Sequence, residues 1–211
     1  MLPSDLALAR LCLASETNAV GFDYIDRGED TGIWWGLVRQ QDHDLVCFRG
    51  SITVEDWWRD GQAEMISIPG LGPVHAGFSK NMNLTLVKMG YILRPKNPIV
   101  ITGHSLGAAR AAIMAAMIKN VAHVALFGCP RPGGQQLADA LMGINITSYK
   151  NRHDPVTDVP LPAPPEFPYV HVRPFELLDG MVDTTLGPPF DDHHIANYVA
   201  GLEKLNQPPQ P

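Results

Sequence analysis

The 211-residue chain is poor in several features that would narrow its role at once. It has only three cysteines, Cys12, Cys47 and Cys129, an odd number at wide spacing. That pattern fits neither a disulfide framework nor a zinc site, and it points to a reducing compartment. Positive charge is in deficit as well. With 16 Lys and Arg against 22 Asp and Glu the formal net charge is -6, so nothing electrostatic favours nucleic acid or an anionic membrane as partner. No stretch approaches the roughly 18 uninterrupted apolar residues of a membrane span. Asp5 and Arg10 interrupt the apolar N-terminal residues 1–14, which lack the basic leader and continuous apolar run of a signal peptide. A cytoplasmic location is the expectation. There is no internal repeat and no linker-like segment.

What remains is the composition of an ordinary globular chain, 45% hydrophobic and 18% charged, able to form a real core. Its length suits one domain, 1–211, with a frayed tail at 207–211. Ser4 is placed to cap a first helix ending near Thr17. Residues 33–38 and 45–48 read as adjacent antiparallel strands across a polar turn. From there strands and helices alternate. Residues 99–102, 121–127 and 144–149 read as strands, 78–93, 106–120 and 135–142 as helices, and 169–173 as a late strand. A proline-rich loop fills 151–168, a surface loop spans 180–192, and a last helix presents Ile195, Tyr198, Val199 and Leu202 on one face. Alternation of this kind predicts an α/β fold with a mostly parallel central sheet flanked by helices.

Chemistry enters at Gly103-His104-Ser105-Leu106-Gly107. The pattern G-x-S-x-G marks a nucleophile elbow, in which a serine sits on a sharp strand-to-helix turn with its hydroxyl exposed. The pentapeptide alone is weak, but a strand-like run enters it and an Ala- and Met-rich helix leaves it, which is the setting the motif requires. Serine needs a base to take its proton, and the base needs a carboxylate. In the order Ser, acid, His both partners lie after Ser105. The downstream acids include Asp154, Asp158, Asp191 and Asp192, and the residues alone do not choose Asp154 over Asp158. His123 falls inside a strand, His153 directly precedes Asp154 and His171 falls in the late strand, leaving His193 and His194 as candidate bases.

Several segments together resemble the class 3 lipases over about residues 45–202. They are Val46-Cys47-Phe48-Arg49-Gly50-Ser51 with Asp56-Trp57-Trp58-Arg59-Asp60, then Val74-His75-Ala76-Gly77-Phe78, the elbow continuing into Ala108, Phe127-Gly128-Cys129-Pro130-Arg131-Pro132-Gly133, and Asn151-Arg152-His153-Asp154-Pro155-Val156. The resemblance implies the α/β-hydrolase fold, Ser105 as nucleophile, Asp154 as triad acid, and an oxyanion hole made by Ser51 and the backbone N–H of Leu106. It also implies a lid-like segment near 52–61. The spacing of an aliphatic residue and a tyrosine after the base in plant and bacterial members, met by Ile195 and Tyr198, favours His193; the fungal spacing would select His194, but its tyrosine is replaced by Asn197.

The reaction so implied is carboxylic-ester hydrolysis, by a lipase or esterase acting on acylglycerols or short acyl esters. It needs no metal or organic cofactor, takes a small-molecule or lipid ester as substrate, and allows transient contact with a lipid interface. An acyltransferase would use the same triad, and an idle binding protein would keep the same fold. Other prominent residues have plainer readings. Trp57 and Trp58 cannot share one helix face, so one packs while the other is free for a lid. His75 and His104 read as hydrogen-bonded structural histidines, Arg131 as a partner of carboxylate or backbone oxygens, and Cys47 and Cys129 as buried small hydrophobes.

Overall fold

The computed structural model describes residues 1–50, 64–161 and 169–207. Ser51, the lid-like segment 52–61 and the end of the tail lie outside them. Helix α1 (Asp5–Thr17) begins where the Ser4 hydroxyl accepts the Ala7 N–H at 3.3 Å, with Asp5 in its first turn. Both features suit the unpaired donors and positive end of a helix start. Three antiparallel strands follow, β1 (Tyr24–Asp26), β2 (Trp35–Arg39) and β3 (Asp44–Phe48). A separate hairpin, β4 (Met65–Ile68) and β5 (Gly72–His75), leads into a single helical turn, α2 (Ala76–Ser79), and helix α3 (Met82–Ile92).

The centre of the molecule is the parallel run. Strands β6 (Ile99–His104), β7 (Val121–Phe127), β8 (Ile146–Asn151) and β9 (Phe175–Leu178) add in turn beside β3, each parallel to the last. The sheet order is β1-β2-β3-β6-β7-β8-β9. Helices α4 (Leu106–Met117), α5 (Gln135–Ala140) and α6 (Ile195–Leu205) complete the frame.

Side chains of a strand alternate between its two faces, and here the alternation separates two cores. Val46, Phe48, Ile101, Val124 and Leu126 pack on the face covered by α3, α4 and α5. Leu45, Cys47, Val100, Ala125 and Phe127 pack on the opposite face, under α1 and α6. The last helix turns Ile195, Tyr198, Val199 and Leu202 inward, as its sequence period predicts. All three cysteines are free and buried. Among the described residues no helix is long and apolar enough to cross a membrane.

Several expectations need correction. The helix expected over 78–93 is broken, because Asn81 takes a left-handed φ of 62° and its amide donates to the Thr31 carbonyl at 2.8 Å. The late strand lies at Phe175–Leu178, not at 169–173, and His171 is therefore outside any strand. Within 169–173, Val170 makes only a single bridge to Gly133, while Arg173 is drawn to the Leu141 carbonyl at 2.7 Å. Strand β8 runs two residues later than the expected 144–149, and α4 ends at Met117 instead of 120. Strand β1 and the β4–β5 hairpin are additions to the sequence reading.

Candidate active site

Strand β6 runs into α4 through Ser105, whose φ of 59° and ψ of -128° are unusual for a residue with a side chain. The flanking glycines make this turn sterically feasible. A Cβ at Gly103 would strike the Gly107 carbonyl, and one at Gly107 would strike the Phe48 carbonyl at the end of β3. The Ser105 N–H is fixed to the Phe127 carbonyl at 3.0 Å. Immediately after it, Leu106 opens α4, where first-turn N–H groups lack helical acceptors and the helix dipole is positive.

The expected acid and base come together. His193 Nδ1 lies 2.7 Å from Asp154 Oδ2, and both residues are fully buried. Asp154 follows β8 and receives two further bonds, from the Tyr198 hydroxyl at 2.5 Å to Oδ2 and from the Val156 N–H at 2.8 Å to Oδ1. Burial alone would raise its pKa, but His193 and these donors hold it below the usual carboxylate value. Asp158, the other candidate, sits at the surface paired with Lys150. Gly128 lies against the pair with φ of 58°. A Cβ there would come within 2.9 Å of Asp154 Oδ2 and 3.0 Å of His193 Cε1.

The second nitrogen of His193 is the available one. Nε2 is buried and has no hydrogen-bond partner among the described residues. Burial pushes the pKa of this ring below its ordinary value, with Asp154 opposing and His104 reinforcing the shift. His194 is occupied otherwise, capping α6 through the Ala196 N–H and lying 3.0 Å from Asp183. The other histidines downstream of Ser105 are elsewhere. His123 binds Asp5 at 2.6 Å, His153 is 94% exposed, and His171 stacks edge-on to Phe175.

Two buried asparagines fix the loop that carries His193. Asn151 donates to the carbonyls of Gly180 and Asp192 and accepts the Gly180 N–H. Asn197 accepts the N–H groups of Val182 and Asp183 and donates to the carbonyls of Asp183 and Asp191. His75 and Arg131 are structural, the first accepting N–H groups of Gly77 and Phe78, the second donating to the carbonyls of Asp158 and Pro160. Sequence reasoning missed Tyr198 as a donor to Asp154, Gly128 as the wall of the site, and both asparagines. One signal was there: Asn197 is polar at an inward position of an amphipathic helix.

Comparison with known proteins places the chain by family and by fold. A family model described as lipase (class 3) matches residues 45–163. A secreted mono- and diacylglycerol lipase 1 from Fusarium solani is 32% identical over 151 residues, which cover 64% of this chain and 44% of the relative. The chain thus aligns with under half the length of that curated relative. Among solved structures, a triacylglycerol lipase from Penicillium expansum superposes with a TM-score of 0.67 at 18% identity, covering 83% of this chain and 79% of its own. A lipase from Rhizopus microsporus var. chinensis gives 0.66 at 21% identity, covering 89% and 75%. These likenesses establish the fold as that of the α/β-hydrolases.

Proposed function

The chain belongs to the class 3 lipase family, and from that membership and the site geometry we propose that it is a carboxylic-ester hydrolase using Ser105, His193 and Asp154. The observation that carries the proposal is the buried Asp154–His193 bond of 2.7 Å, which leaves Nε2 without a hydrogen-bond partner among the described residues. Asp154 fixes the ring so that Nδ1 carries the proton and Nε2 is the base. In the reaction Ser105 Oγ adds to the ester carbonyl carbon as Nε2 takes the hydroxyl proton. The carbonyl oxygen becomes an oxyanion, and the Leu106 N–H and Ser51 are the donors proposed for it. The ester C–O bond then breaks, Nε2 returns its proton to the leaving alcohol, and water repeats the sequence to free the acid.

The substrates proposed are acylglycerols or short acyl esters. Three exposed apolar side chains, Leu161, Val182 and Leu186, lie in the loops that carry Asp154 and His193, and they support transient contact with a lipid interface. A cytoplasmic location remains part of the proposal, supported by three buried free thiols, whereas the Fusarium relative is named as secreted. Hydrolysis of a panel of p-nitrophenyl esters and acylglycerols, with Ser105→Ala as control, tests the reading. Activity in the wild type that vanishes in the variant supports it, and no activity on any ester refutes it.

A further inference from the structure

Behind the triad lies a second carboxylate–imidazole pair. Glu16, at the end of α1, places Oε1 2.8 Å from His104 Nδ1, and His104 Nε2 lies 2.8 Å from the main-chain carbonyl of His193. The His104 and His193 rings lie against each other in a tilted arrangement, with centroids 4.5 Å apart and planes 30° from parallel. His104 is buried. Its two nitrogens therefore face a carboxylate and a carbonyl. A carbonyl can only accept, and an ionised carboxylate can only accept, so a ring that satisfies both must carry a proton on each nitrogen.

We infer that Glu16 and His104 form an ion pair that positions the base of the proposed hydrolase, gripping the His193 main chain and holding an imidazolium against the His193 ring. This role rests on His193 being the base. It deepens the structural reading of His104, and Glu16 lies ahead of the stretch 45–163 that matches the family. Two consequences follow from the geometry. The carbonyl contact ties the loop before α6 to the end of β6, one residue from the nucleophile. The positive charge beside His193 opposes its protonation, so the base stays neutral, and able to accept a proton, into more acidic solution.

Charged and titratable groups reach these two rings from several elements. Glu16 comes from α1, Arg49 from the end of β3, Asp154 from the turn after β8, and His193, His194 and Tyr198 from the last loop and α6. Glu16, Arg49, His104, His193 and His194 share the lining of one cavity of about 320 Å³. Burial opposes the charge on His104, but Glu16, together with Asp154 and the His193 carbonyl, outweighs it and the ring's pKa is raised. Glu16 is in turn held below its ordinary value by His104.

The test compares kcat/KM against pH for the wild type, His104→Gln and the double variant Glu16→Gln/His104→Gln. The glutamine can still donate an N–H to the His193 carbonyl but carries no charge. His104→Gln is expected to move the acidic limb upward by on the order of one pH unit, and the double variant by less, since it also removes the carboxylate that favours a protonated His193. Variants that lose activity equally at every pH, with the limb unmoved, would overturn the inference while leaving the hydrolase reading intact. A wild type that neither hydrolyses esters nor labels with a fluorophosphonate would overturn the hydrolase reading instead, and this inference with it. A second measurement uses the intact protein. 15N NMR of the wild type at pH 7 should show protons on both nitrogens of His104, and a singly protonated ring would contradict the ion pair.

Discussion

Ser105 occupies a backbone conformation that an L side chain adopts at a cost of about 1–3 kcal/mol, with φ of 59°, and residues held this way concentrate where chemistry needs them. Ser105→Ala should keep the fold, abolish fluorophosphonate labelling and lower kcat by several orders of magnitude, leaving roughly 10³–10⁴ over the uncatalysed rate. At the base, His193→Ala should cost about as much as Ser105→Ala, whereas His194→Ala removes only a helix cap and a contact with Asp183. A rate loss confined to His194→Ala would mean that the wrong ring has been assigned. The pH dependence follows from the environment of His193. A general base works when neutral, so activity disappears as pH falls through its pKa. Burial lowers that pKa from the model-compound value of 6.5, so the acidic limb of kcat/KM should have its midpoint below 6.5. A midpoint above it would contradict the described surroundings.

At the scale of elements, legibility followed periodicity and local chemistry. The Ser4 cap, the strand Val121–Phe127 and the inward face of the last helix were readable because their signals lie within a few residues of one another. The break at Asn81 depends on a hydrogen bond to Thr31, and the position of β9 depends on which segment the edge of β8 accepts. Neither partner is near in sequence. The same reason hid the supports of the site. Ser105, Asp154 and His193 could be named from motif spacing and family resemblance, but the bonds of Tyr198 and Asn197 exist only once α6 docks. Asn197→Ala strips partners from four backbone groups of the loop before His193. Leaving such groups unpaired in a buried setting should cost about 2 kcal/mol or more. Urea unfolding should show that loss, together with a lower kcat as the loop loosens. Unchanged stability would mean that water replaces the amide without penalty.

For the whole molecule, two cores on either side of a mostly parallel sheet hold Ser105 after β6, Asp154 after β8 and His193 in the loop after β9, at the carboxyl ends of the strands, the usual place for a site in an open α/β sheet. The molecule's stability should also respond to acid. His171 has its pKa pushed down to about 4 by burial, with Arg131 and Lys150 adding to the effect and Asp158 opposing it. Its unfolded form binds a proton near 6.5, so the folded state is favoured above that value and loses this advantage as pH falls from 6.5 to 4. His193 contributes with the same sign and His104 with the opposite one. The urea midpoint should therefore fall across this window, and His171→Leu should flatten part of the fall; an identical slope in the variant would remove His171 from the account. The claim on which the rest depends is that Ser105 is the activated nucleophile. Its most direct test is to label the wild type with a fluorophosphonate, digest it and locate the adduct by mass spectrometry, with Ser105→Ala and His193→Ala run alongside. The account predicts a single adduct on Ser105, absent from Ser105→Ala and formed far more slowly in His193→Ala. An adduct on any other residue, or labelling that persists in Ser105→Ala, would contradict it.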